Sequence, residues 1–206
     1  LNWSYGVTQG PFDIADAPDT SKMLDLGSLL LPNVPGLEVH LDLDVKTGNG
    51  KSVSLHLDMS IVELQVFAVA INEDLWGDMR NAIADGLREQ EVECQVVEGR
   101  FGTEVRAVMP TVDLDGNAHV QPVRFVGIRG PRWFIRAVIS GYGAVIESEK
   151  KSEIDDVIAK VVVHRGNEPQ PPGQRLWLRR PKVNSELIAE DSEPGNSKFG
   201  HLHISL

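Results

Sequence analysis

Cys94 is the only cysteine in this chain of 206 residues, so an intramolecular disulfide is excluded and the fold must be held by packing. Sparse cysteine use favours a reducing compartment, and a cytoplasmic location is the expectation. The chain opens on Leu1 rather than methionine, which leaves room for a targeting segment removed upstream. Long apolar runs are also missing: nothing approaches the ~18 consecutive apolar residues that a membrane-spanning helix needs. Basic charge is the scarcer sign, with 20 Lys and Arg against 30 Asp and Glu and a formal net charge of −10. That balance repels polyanions at long range, so nucleic acid is not an expected partner. A local basic patch remains workable, because surface charge is screened over about 8 Å at physiological salt.

What is present reads as an ordinary folded domain, with 41% hydrophobic and 24% charged residues. The length suits one core plus extensions. Residues 1–25 mix glycine, proline and aspartate without periodicity and read as an extended segment. Residues 26–166 read as an α+β core, and residues 167–206 as a proline-rich linker and tail opening on Pro169, Pro171, Pro172 and Gly173.

Within the core, Leu37, Val39, Leu41, Leu43 and Val45 alternate with Glu38, His40, Asp42 and Asp44, the period of a half-buried strand. Thr47-Gly48-Asn49-Gly50 supplies a turn, and Val53, Leu55, Leu57 and Met59 complete a hairpin. The segment from Ile61 to Ala70 is apolar on both faces apart from Glu63 and Gln65, which suits a central strand. Leu75, Met79, Ile83 and Leu87 then recur every four residues, predicting a helix over Glu73 to Gln90 with Asn72 as its cap.

A meander of four strands follows: Glu93 to Val97, Thr103 to Met109, Gln121 to Ile128 and Trp133 to Ser140. Ser152 is placed to cap a second helix whose Ile154, Val157, Ile158 and Val161 form a buried stripe. The expectation is an antiparallel sheet of about six to seven strands packed with two main helices.

Motifs for chemistry fail one after another. Gly50-Lys51-Ser52 resembles the end of a phosphate-binding loop, but Val45 stands where that loop needs glycine and a strand follows instead of a helix. The Asp113 loop has Arg124 at the twelfth position, where a calcium loop needs a bidentate glutamate. Ser140 lacks both glycines of a nucleophile elbow. Paired carboxylates such as Asp155-Asp156 and Asp42/Asp44 read as solvated faces. His40 and His56 fall on polar strand faces and His201/His203 near the end of the chain; none has evident companion ligands, so no metal site or cofactor is assigned and no residue is named catalytic.

The cluster that does suggest function is basic and aromatic. Arg124, Arg132, Arg136 and their neighbours Arg129, Trp133 and Phe134 occupy the meander, while Trp177, Arg179 and Arg180 lie in the tail with Arg175 and Lys182. Arginine with tryptophan is the pairing enriched at binding hot spots. The leading reading is a non-enzymatic binding or scaffold protein docking another protein or a second copy of itself. The alternative is a small-ligand binder or enzyme with a pocket between sheet and helix, where Arg124 or Arg136 holds an anion. The bland reading of the same residues is intramolecular, the arginines meeting the chain's own carboxylates.

The runs QPVRFVG into GPRWFIR, from Gln121 to Gly127 and Gly130 to Arg136, and VVVHRGNEP with Pro171-Pro172, together with Gly10-Pro11-Phe12-Asp13 and Phe101-Gly102-Thr103-Glu104, resemble an uncharacterised actinobacterial family, a domain of unknown function. The resemblance covers roughly Gly10 to Pro181. It brings no established activity and no catalytic residues. The order of elements is similar to the PsbP-like α/β sandwich, a fold used mainly for binding, and this implies the same α+β architecture.

Overall fold

The structure is a computed structural model that describes residues 10–71, 73–112, 115–145, 148–181, 188–189 and 200–205. In chain order the strands are β1 (Phe12–Asp13), β2 (Leu24–Asp25), β3 (Leu29–Leu31), β4 (Glu38–Leu43), β5 (Gly50–Leu57) and β6 (Ser60–Ala68). Helix α1 (Leu75–Glu89) follows, then β7 (Cys94–Gly99), β8 (Gly102–Val112), β9 (Ala118–Arg129) and β10 (Trp133–Gly141). A 3₁₀ turn at Tyr142–Ala144 leads to α2 (Glu149–Ala159), β11 (Val162–Val163), β12 (Ile188–Ala189) and β13 (Gly200–Ser205).

The class is α+β, as the periodicities require. The main sheet is antiparallel throughout, in the order β12-β13-β4-β5-β6-β10-β9-β8-β7. Seven of these strands are the expected hairpin, central strand and meander. A small mixed sheet, β1-β11-β3-β2, packs alongside, with its β1-β11 pair parallel and the rest antiparallel. No helix among the described residues is long and apolar enough to cross a membrane.

The two faces of the main sheet are covered differently. One face carries Val39, Leu41, Val53, Leu55, Leu64, Val66, Val126, Ile135, Ala137 and Ile139 into the principal core, against Ile154, Val157 and Ile158 of α2, Leu26 between β2 and β3, and Leu29 and Leu31 of β3. On the other face α1 covers the β7–β9 end, where Leu87, Val105, Ala107 and Phe125 form a second cluster, and its Trp76 stacks on Phe134 of β10. Gly127 lets the helix approach: a Cβ there would lie 2.1 Å from the indole of Trp76, whose Nε1 donates 2.7 Å to the carbonyl of Thr103.

Both helix caps differ from expectation. Asp74, not Asn72, caps α1, its carboxylate accepting from the Gly77 amide at 3.0 Å; Asn72 lies outside the described residues. Ser148, not Ser152, caps α2, so the helix starts a turn earlier and Lys150 and Lys151 become helical. Each candidate is a good cap by residue type; the added first turn of α2 carries Lys150, paired with Asp58, and Lys151, paired with Asp155.

The proline-rich segment returns to the body. Its backbone pairs with the end of β6, the Leu176 amide donating to Val66 and the Ala68 amide donating to Gln174. Leu178 then exchanges two hydrogen bonds with Gly50, and the Arg179 amide donates to the carbonyl of Leu26, between β2 and β3. Leu176 and Leu178 are buried in the principal core while Trp177 between them is exposed. This alternation is that of a strand with one apolar face.

Candidate functional site

The long β8–β9 hairpin organises the most heavily charged interior of the protein. Register sets Arg106 opposite Arg124, two cations side by side on a sheet that also faces α2. Carboxylates converge on them. Arg124, fully buried, donates Nε and Nη2 to the two oxygens of Glu104 at 3.1 and 2.9 Å, a bidentate pair. Its Nη1 donates to Asp155 at 2.9 Å and to the carbonyl of Gly143 at 3.1 Å. Glu104 also accepts from Nε of Arg106 at 2.6 Å, and Asp155 from Nζ of Lys151 at 3.1 Å.

Burial by itself would push the Glu104 carboxyl up; the hydrogen bonds and charge of Arg124, helped by Arg106, outweigh it and hold the group below the usual glutamate value. Burial likewise opposes the charge on Arg124, and its bonds to Glu104 and Asp155 overcome that and raise its pKa. The network is fully engaged and joins β8, β9, α2 and the 3₁₀ turn.

Next to this network lies an open groove of about 460 Å³, lined by Glu93, Cys94, Gln95, Arg106, Ala107, Val108, Pro122, Val123, Ala144 and Val145. Its walls are mostly apolar and Arg106 is the cation among them. Beyond it, Val108, Pro110 and Val112 of β8 and Val120 and Pro122 of β9 share one face of the hairpin by alternation and register. Val112 and Val120 are each 66% exposed, and Val108 and Val145 are also exposed, so the groove opens onto an apolar stripe.

The arginines and tryptophan expected at a surface do not form one patch. Arg124 is corrected from a docking residue to an interior one, because its donors are spent on Glu104, Asp155 and Gly143. Arg132 is exposed in the β9–β10 turn. Arg136, half-buried, lies on the face of β10 opposite the principal core, in register with Gln65 and Gly127. Trp177, Arg179 and Arg180 are exposed on the returning segment, where the Arg179 side chain passes over Gly27.

Asp155 is a second correction. It is buried, whereas its neighbour Asp156 pairs with Arg100 at the surface. The signal was its place one residue after Ile154 and three before Ile158, inside the stripe. Cys94 is a half-buried strand residue, its Sγ donating to the carbonyl of Ala84 at 3.7 Å. Among the described residues no group of three or more His, Cys, Asp or Glu could hold a metal.

Residues 10–186 match the family described as a protein of unknown function, DUF3710. The chain belongs to this family. A comparison with curated proteins found no match. The DUF3710 span takes in the charged network, the groove, the stripe and the whole returning segment through Leu178. Strands β12 and β13 lie beyond it.

Proposed function

We propose that this DUF3710 protein is a non-enzymatic binding module, and that its ligand is an extended apolar segment of a partner protein carrying an acidic side chain. The observation that carries this reading is the continuity of the groove with the exposed valine and proline stripe of the β8–β9 hairpin. From Arg106 to Val112 a strand rises about 20 Å, at roughly 3.4 Å per residue, enough for a six- or seven-residue extended segment. A contiguous exposed apolar surface of this kind is a feature of interaction sites. Arg106 supplies the complement to an acidic group at the root of the groove, and its bond to Glu104 fixes the side chain beforehand. The use of a PsbP-like sandwich chiefly for binding agrees with this reading at the level of fold.

The test is a photo-crosslinking residue at position 120, compared with one at Glu89 on α1. The proposal expects a discrete cross-linked partner at 120 alone, lost on Val108→Asp and weakened on Arg106→Gln, with thermal stability of Val108→Asp unchanged because the valine is already exposed. Equal labelling at both positions, or labelling at 120 that survives Val108→Asp, sinks it.

A further inference from the structure

On the face of the main sheet that turns away from the principal core, two arginines border an aromatic floor. Ile135 and Ala137 of β10 and Leu176 and Leu178 of the returning segment are buried in that core, so Arg136 and Arg175 belong to the other face. The ladder sets them in neighbouring rows: Arg175 bridges to Phe67 and Phe67 pairs with Phe134, while Arg136 pairs with Gln65. The Arg175 guanidinium reaches over β6, 5.9 Å from the centroid of the Phe67 ring. Phe67 in turn meets Phe134 at 6.2 Å, and Phe134 stacks on Trp76 at 6.0 Å.

Both residues are half-buried, and each has its Nε enclosed without a hydrogen-bond partner. Among the described residues neither guanidinium takes part in an ion pair. A buried donor left unpaired is uncommon, and a charged one is costly. Arg124 is the contrast within the same chain, since its Nε, Nη1 and Nη2 all donate to acceptors. Glu63, the carboxylate two residues along β6 on the same face, accepts from Gln65 at 3.0 Å instead. With strands about 4.8 Å apart and about 3.4 Å per residue along them, the Cβ atoms of Arg136 and Arg175 lie about 12 Å apart. Two arginine arms close that gap around one bound group.

We propose that Arg136 and Arg175 together bind a phosphate group, with the Phe67 ring as the floor of the site. Phosphate suits the pair because it carries up to about two negative charges and three acceptor oxygens, enough to engage both guanidiniums. A carboxylate offers two oxygens, which a single arginine fork fills, as Arg124 does on Glu104. The apolar rings beneath lower the local dielectric and strengthen both contacts. The net charge of −10 does not bar an anion here, because surface charge is screened over about 8 Å at physiological salt. The site is independent of the groove, since Arg106 lies with Arg124 on the opposite face of the sheet.

Titration of the full chain with inorganic phosphate, followed on the arginine Nε–H resonances by nitrogen-edited NMR, tests the site. Saturable shifts are expected for Arg136 and Arg175 and none for Arg88, which pairs with Asp85 on α1. Arg136→Gln and Arg175→Gln should each weaken phosphate about tenfold or more, the effect of losing a hydrogen bond to a charged group. Arg175→Lys, which keeps the charge but not the fork, should also lose affinity. Phenyl phosphate separates the two sources of this group: binding assigns the site to phosphate esters, exclusion to free phosphate, and either outcome upholds it. Absence of saturable shifts, acetate binding as tightly as phosphate, or an unaltered affinity in Arg175→Gln with its circular dichroism preserved overturns the proposal.

Discussion

Arg124→Met removes the hub of the buried charged network at nearly constant volume. The loss falls on two carboxylates that remain enclosed. Breaking a buried pair from one side costs about 3–5 kcal/mol, because an uncompensated charge is left in the interior. Here Glu104 keeps Arg106 and Asp155 keeps Lys151, so each carboxylate retains a cation and the lower limit applies. The expected loss is about 3 kcal/mol, which for a chain of this length lowers Tm by about 6–12 °C.

Urea unfolding followed by circular dichroism measures the loss directly, with an unchanged m value marking a true change in stability. A cycle with Glu104→Gln should return a coupling of about 1–3 kcal/mol, since the two side chains share two hydrogen bonds. The pH dependence supplies a second readout. The folded Glu104 pKa lies below its unfolded value of about 4.3. The unfolded state therefore binds more protons in that window, so the stabilisation is present above about pH 4.3 and is lost as pH falls through the folded value. In Arg124→Met the acid-unfolding midpoint should move up. A loss under about 1 kcal/mol, additive with Glu104→Gln and without an acid shift, would refute the assignment of this network as the tie between hairpin and α2.

Leu178→Ala should cost about 2–5 kcal/mol although it lies far along a proline-rich segment, because its side chain is almost completely buried between the two sheets; a loss below about 0.5 kcal/mol in urea unfolding would place the segment outside the cooperative core. Gly127→Ala should destabilise by about 1–3 kcal/mol through the overlap with Trp76, and the indole fluorescence should shift as α1 lifts from β9; an unchanged Tm and spectrum would contradict the close packing.

The strands were legible because period-two alternation is written directly in the residues, from Leu37 to Val45 and from Trp133 to Ser140. The hairpin β8–β9 runs longer than its apolar pattern predicts, since Pro110, Val112 and Val120 extend the ladder without being buried. Helix ends were misplaced where two capping residues stood close together, as Ser148 and Ser152 do. The Arg-rich cluster was visible, but not its division into interior and surface. Arg124 differs from Arg132 only through Glu104 and Asp155, which lie 20 and 31 residues from it in sequence. Such pairing has no local signal. The groove was equally hidden, because its lining comes from β7, β8, β9 and the 3₁₀ turn.

The returning segment also dictates the order in which the molecule can be completed. Residues from Gly173 to Leu178 fill the backbone positions beside β6 and Gly50, and connect through Arg179 to Leu26. These partners are more than a hundred residues earlier in the chain, and ring closures of that span raise contact order and slow folding. During synthesis the N-terminal two-thirds can form its hairpins as they emerge, but the edge of β6 and the apolar seam under Leu176 and Leu178 stay open until the last of this segment has left the ribosome. For that interval the nascent chain presents an unsatisfied strand edge, and the protein's own late segment is the guard that closes it.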